Sequence, residues 1–442
     1  MELGEGASTA QRSQQAAQQN FSQALKVWLH RRQRPQRYAQ LDRLLANQAL
    51  DATRLRAKQA ADLAAIVAHA RASTAWYAER FAQLSQNWRI TDLPVLTKDE
   101  VRAHLPALLA RPHDPASTPI GHTGGSTGQP LAFYYDEAKH ELMRAGMMRS
   151  YMLSGWRPGQ KILNFWGARQ DTVKGGVFAS VAWDDYIAAE KTLPAHEIDA
   201  AKLDDWARFI QRYRPTLLQG YASILAALAR FVLDEQRAMP DSLIGVYSTA
   251  ETLTEAMRET IEAAFRCKVF NQYGSREIPN IACECRHGHL HVWTDMVWLE
   301  SRDGELLVTS LTNRLMPMIR YAIGDCGELL DGACSCGLPF PLMTMNLCRH
   351  NDLIHTPDGR RLHPSFFNRL MYGLTQVRQY QFVQEAPGQV TLRLVATEPL
   401  DAPTLARLSG ELAAAGLTLS IVHVPEIPRT ISGKHRFVIR AI

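Results

Sequence analysis

Between Leu131 and Gly274 the chain alternates short apolar runs with longer amphipathic ones. LAFYYD, KILNFWG, TLLQGY, LIGVYSTAE and KVFNQYG have the length and the aromatic or β-branched content of strands. HELMRAGMMRSYMLSG, DDWARFIQRYRP, ILAALARFVLDEQ and TEAMRETIEAAFR lie between them with helical character, one ending at Gly155 and one stopped by Pro215. Strands joined through helices pair in parallel, and a parallel sheet needs helices over its faces. From about residue 290 the pattern changes. HVWTDMVWLE, GELLVTSLT and GDCGELL read as paired strands with glycine turns, an antiparallel region. After Arg349, DLIHTPDGRRLHP reads as a hairpin, followed by a helix and two or three further strands. The expected fold class is therefore α/β. A large unit with mostly parallel, helix-covered sheets and an antiparallel β region spans 37–348, and a small α+β unit spans 349–442.

The lead-in to this pattern is helical. Leu55, Leu63, Ile66 and Val67 fall near one face of a predicted helix, and Thr97 caps another whose first turn carries Asp99 and Glu100. Residues 1–36 form a polar, Gln/Ala-rich arm that reads as frayed or disordered. The net charge of +5 is small for 442 residues. Its one basic cluster, HRRQRPQR at 30–37, reads as a solvated or phosphate-tolerant face and not as a nucleic-acid stripe. No apolar run reaches the roughly 18 residues that span a bilayer, and the N-terminus lacks a signal-peptide pattern. The expectation is a cytoplasmic protein without membrane insertion, as a monomer or homodimer. In a reducing compartment, clustered cysteines point to metal or catalysis before disulfides.

Two short stretches carry chemistry by composition. HTGGSTGQP, residues 122–130, has too little side chain to pack as a strand. Its backbone N–H groups, with the hydroxyls of Thr123, Ser126 and Thr127, would make a phosphate cradle, the plainer alternative being a surface hairpin. It is not a Walker A loop. CECRHGHLH (283–291) and CSCG (334–337) bring four cysteines and three histidines into a predicted β region. Thiolates and imidazole in tetrahedral number suit zinc. Cys267, Cys326 and Cys348 stand alone and read as packing residues.

After the Gly-rich loop come YSTAETL, NQYGSREI, MIRYAIGD, RHNDLI and PRTISGKHRF, in that order. Together these segments resemble the adenylate-forming superfamily over about residues 50–442, most closely its phenylacetate–CoA ligase and CapK-like branch. The resemblance implies activation of a small-molecule carboxylic acid by ATP to an acyl-adenylate with release of pyrophosphate. Transfer then follows to an acceptor, CoA above all; an amine or a carrier protein is the alternative, and a catalytically degenerate nucleotide-binding zinc scaffold is another.

The resemblance also implies roles for individual residues. Thr123, Gly124, Gly125, Ser126, Thr127 and Gly128 would hold the ATP phosphates, with Thr127 also catalytic. Gln129 stands where family loops often carry lysine. Ala250 and Glu251 would lie along adenine, Tyr273 would stack near it, and Gly274 and Ser275 complete that loop. Glu277 matches the Mg²⁺ ligand. Asp325 matches the ribose-binding acid. Arg349 and Asp352 mark the inter-domain hinge, with Arg349 also at the nucleotide. Lys434 matches the lysine that enters the site during adenylation. Cys285, His291, Cys334 and Cys336 match the branch's ligands for a closed, structural zinc, with Cys283, His287 and His289 as substitutes. Trp166, Phe178 and Tyr221 are candidate liners of the acyl pocket at the C-terminal ends of the parallel strands.

Overall fold

The computed structural model describes residues 9–442 apart from 114–117, 119, 124–130, 167–182, 196–197, 303, 350–353, 363–365, 368–369, 372–373, 375 and 429–435. The side chains of 9–20, 184, 346–349 and 361 also fall outside the description.

Five helices open the described chain: α1 (Thr9–Gln33), α2 (Pro35–Gln48), α3 (Ala52–Ser73), α4 (Ala75–Arg80) and α5 (Lys98–Leu108). Residues 9–33 are thus helical and not the disordered arm expected. Alanine and glutamine are good helix formers, and the C-terminal half of α1 gains tertiary support through buried His30, whose Nδ1 lies 3.0 Å from the Tyr38 hydroxyl. Capping sets several boundaries. The Asp51 carboxylate accepts from Arg54 N, and Thr97 and Glu100 form a capping box at α5.

A short hairpin, β1 (Ile120–His122) and β2 (Ala132–Tyr134), leads into α6 (Glu137–Met152). Then follow β3 (Ile162–Trp166), α7 (Trp183–Ala188), β4 (Glu190–Pro194), α8 (Ala200–Tyr213), β5 (Leu217–Tyr221), α9 (Ala222–Asp234), β6 (Gly245–Thr249), α10 (Glu255–Phe265) and β7 (Val269–Tyr273). The helix α8 ends where Arg214 turns left-handed (φ 50°) immediately before Pro215. The strands β4, β3, β5, β6 and β7 are neighbours in that order and all parallel. Leu217 to Tyr221 are all buried, the continuous burial of a strand covered on both faces.

The chain reverses after β7. The strands β8 (Ala282–Glu284), β9 (Leu290–Val292), β10 (Val297–Arg302), β11 (Glu305–Ser310), β12 (Tyr321–Leu330) and β13 (Leu342–Arg349) extend the same sheet with antiparallel pairing. Among the described residues the result is one mixed sheet of 11 strands, in the order β10-β11-β12-β13-β9-β8-β7-β6-β5-β3-β4, which holds both the expected parallel and antiparallel regions. The switch comes at residue 282, before the expected 290, because β8 has only three residues and leaves no alternation to read. A buried charge pair ties α6 to this half. Arg149 donates to both Asp295 oxygens at 2.7 and 3.0 Å, Asn47 donates to Asp295 at 3.0 Å, and the Trp293 ring lies 4.0 Å from the guanidinium carbon. Removing one partner would strand a buried charge, at about 3–5 kcal/mol.

The remaining elements are β14 (Ile354–His355), β15 (Arg361–Leu362), β16 (Val377–Ala386), β17 (Gln389–Ala396), α11 (Ala402–Ala414), β18 (Thr418–His423) and β19 (Val438–Arg440). β18-β17-β16-β19 form a four-stranded sheet around a core that includes Ile354, Phe367, Phe382, Leu408 and Val438. The architecture is α/β: a large mixed sheet covered by helices, and a small C-terminal α+β unit.

Candidate functional site

The C-terminal ends of β3, β5, β6 and β7 lie side by side, and the candidate groups cluster there. Trp166 ends β3 and Tyr221 ends β5; their rings meet edge to face with centroids 5.2 Å apart. Tyr221 is buried, so its ring serves the core at least as much as any pocket. Phe178 lies outside the described residues. Ala250 directly follows β6 and adopts φ 68°, an uncommon conformation for a residue with a Cβ. The Glu251 carboxylate accepts from the backbone N of Ser223 at 2.8 Å, which ties the end of β6 to the start of α9.

The segment after β7 makes the sharpest turn. A Cβ on Gly274 would stand 2.9 Å from the backbone N of Asn280, so only glycine fits. Ile278 N donates to Ser275 Oγ at 3.0 Å, and Ser275 N donates to Ile278 O at 2.9 Å. This closed turn presents Glu277, which is 5% exposed. Two side-chain hydrogen bonds then clip NQYGSREI to MIRYAIGD. The Tyr273 hydroxyl donates to Asp325 at 3.1 Å, and the Tyr321 hydroxyl donates to Glu277 at 3.0 Å. Burial and the neighbouring Glu277 charge push the Tyr321 phenol far above its ordinary range, so it stays a donor. Tyr321 had not been singled out from sequence; RYAIGD held it, but an aromatic beside an acid has no spacing rule. Register sets Asp325 of β12 opposite Arg349 of β13.

Thr123 closes the base of the β1–β2 hairpin. Its N donates to Leu131 O, and its Oγ1 accepts from Leu131 N, each at 2.8 Å. Gly124, Gly125, Ser126, Thr127, Gly128, Asp352 and Lys434 lie outside the described residues.

The cysteine cluster is assembled by two loops. A tight turn after β8, in which Gly288 N donates to Cys285 O and Cys285 N to His289 O, delivers Cys285. His291 lies on β9. The loop between β12 and β13 carries Cys334 and Cys336, and the β9–β13 pairing sets Leu342 against His291. One ligand atom from each of Cys285, His291, Cys334 and Cys336 lies within 4.8 Å of all the others. The Cys285 and Cys334 sulfurs are 3.7 Å apart, and Cys336 Sγ is 3.3 Å from His291 Nε2. Tetrahedral zinc with Zn–S of about 2.3 Å sets sulfurs about 3.8 Å apart, so the donor set fits the ion. His291 Nδ1 lies 3.1 Å from Phe340 O. A carbonyl only accepts, so Nδ1 carries the proton and Nε2 presents a lone pair to the cluster. Cys283, by contrast, is fully buried; its thiol is pushed up by burial, and Sγ lies 3.6 Å from Glu284 O. His289 Nδ1 is 3.3 Å from Cys334 Sγ and supports that sulfur, while His287 Nδ1 is 3.0 Å from Ser335 Oγ. Burial also raises the Cys267 thiol to about 12, in keeping with a packing role.

Residues 354–441 match the CapK C-terminal domain family. The chain is 27% identical over 372 residues to Protein CapK of Staphylococcus aureus, covering 80% of each chain. It is 26% identical over 334 residues to the phenylacetate-coenzyme A ligase of Thermus thermophilus, covering 70% of this chain and 72% of the relative. Its structure resembles that of 2-hydroxyisobutyryl-CoA ligase in the postadenylation state in complex with R3-HIB-AMP. The TM-score there is 0.67 at 18% identity, covering 89% of this chain and 90% of the other. The fold is that of the adenylate-forming acyl-CoA ligases.

Proposed function

We propose that this chain, a relative of CapK and the phenylacetate–CoA ligases, activates a carboxylic acid with ATP and passes the acyl group to CoA. The observation that carries the reading is the pair of hydrogen bonds, Tyr273 to Asp325 and Tyr321 to Glu277, that join two distant motifs at the C-terminal edge of the parallel strands. Ligands of open α/β sheets bind along that edge. In the first half-reaction a carboxylate oxygen of the acid attacks the α-phosphorus of ATP, the bond to the bridging oxygen breaks, and pyrophosphate leaves. Asp325 accepts from the ribose hydroxyls, Tyr273 and the Ala250–Glu251 step flank adenine, and residues 123–128 hold the departing phosphates. Magnesium held by Glu277 would supply neutralising charge on the phosphates. Lys434 would add a cation at the reacting carboxylate. In the second half-reaction the CoA thiolate displaces AMP from the acyl carbon, and the unit 349–442 reorients about Arg349–Asp352 between the two steps. Cys285, His291, Cys334 and Cys336 hold a structural zinc, and the site of action is the cytoplasm.

The test is ATP–pyrophosphate exchange across a panel of aliphatic and aryl acids, repeated with CoA. We expect exchange with at least one acid and thioester formation when CoA is added. Exchange without thioester would move the acceptor to an amine or a carrier protein. No exchange with any acid by a protein that binds ATP would favour the degenerate scaffold.

A further inference from the structure

The helix α1 carries an exposed apolar stripe. Phe21, Leu25 and Trp28 are 72, 45 and 52% exposed. Their spacing of four and three residues sets them along one line of the helix. The body-facing line is a different one. It runs through Gln23, which donates to Pro158 O at 3.0 Å, partly buried Val27, and buried His30. At 100° per residue the two lines are nearly opposite, so the stripe points straight away from the body. The helix also carries Arg12, Lys26, Arg31 and Arg32 and no acidic residue. Arg31 and Arg32 are exposed at the C-terminal end of the stripe, and the Arg32 guanidinium lies 4.9 Å over the Trp28 ring. Asp42 pairs with Arg31 at an exposed 3.4 Å, a contact of small energy.

We infer that α1 lies flat on an anionic phospholipid surface, with Phe21, Leu25 and Trp28 at the headgroup boundary and Arg31 and Arg32 on the phosphates. Aromatic and leucine side chains beside basic ones on a non-spanning helix are the composition that binds there. A second copy of the chain fits the stripe less well. A stable dimer buries about 800 Å² per partner, more than three side chains can supply. Nor does α1 offer an acid for the arginines of another α1. Among the described residues no helix is long and apolar enough to cross a membrane, so the contact is interfacial.

The experiment is co-sedimentation of the full chain with vesicles of phosphatidylcholine alone and of equal parts phosphatidylcholine and phosphatidylglycerol. We expect binding to the anionic vesicles only, weakened by salt. The triple substitution Phe21→Ser, Leu25→Ser, Trp28→Ser should weaken it roughly 10-fold or more. Arg31→Gln with Arg32→Gln should weaken it by about 5-fold per charge. Both variants alter exposed side chains, and unchanged thermal melting checks their folds; the charge variant and the salt series decide the matter if the triple variant does not fold. Absence of binding to anionic vesicles overturns the inference, as does binding that neither variant changes. A native dimer that the triple variant makes monomeric, with no vesicle binding, assigns the stripe to a second copy instead.

Discussion

The strand-end site and the cysteine cluster are both built from polar side chains on β-strands and their loops, but they satisfy those groups in opposite ways. At the strand-end site each acid already has a protein donor: Asp325 accepts from Tyr273 and Glu277 from Tyr321. In the cluster three sulfurs and an imidazole lone pair face one another, four acceptors once the thiols ionise, with His289 and the Cys336 backbone N at the edge of Cys334. Acids satisfied by their own tyrosines can persist without a ligand. A knot of convergent acceptors is stable only around a cation or with its protons retained. The first arrangement suits turnover and the second suits permanence.

The widest test of that contrast is Glu277→Gln. If this acid acts on the nucleotide, the variant should keep its melting temperature and lose roughly 10²–10³-fold in ATP–pyrophosphate exchange, the scale of removing one well-placed electrostatic group. Near-native exchange would remove Glu277 from the mechanism. Cys334→Ser should do the reverse. We expect zinc by elemental analysis to fall from about one per chain to near zero, and melting to drop by roughly 5 °C, because a structural ion contributes folding energy. Full stability in a metal-free native preparation would show that the knot keeps its protons instead. The smallest effect should come from Tyr321→Phe. It deletes one buried hydrogen bond, of about 0.5–1.5 kcal/mol, so exchange should fall by roughly 10-fold at most. As a positioning residue it should raise the magnesium concentration needed for half-maximal exchange. A drop in melting temperature without that shift would make it a packing residue only.

The alternation of strands and helices was legible because both faces of a parallel strand are buried and its residues must be apolar in a run, as in Leu217–Tyr221. The cap at Thr97 and the stop before Pro215 were legible because each depends on residues a few positions apart. α1 was misread because a Gln/Ala-rich helix has no periodicity until its partners, here Tyr38 and Pro158, are known. β4 and β8 escaped notice because they are short, and β13 because its pairing with β12 is irregular.

Residue order sets the local chemistry: which segments can be strands or helices, which acids and cysteines are present, and the order of the motifs. Which of these meet follows from the packing of the folded chain. It fused the parallel and antiparallel regions into one sheet, since the closed turn at Gly274 sends the chain back against β7. It put Cys285, and not Cys283, beside His291, because Cys285 lies past the end of β8 in the turn closed by Gly288 and His289, whereas Cys283 is buried in the main core. It joined Tyr321 to Glu277 across 44 residues, where no local spacing rule reaches. Local propensity acts over a few residues, whereas hydrogen bonds and metal ligands depend on distance in space, which sheet order and register set.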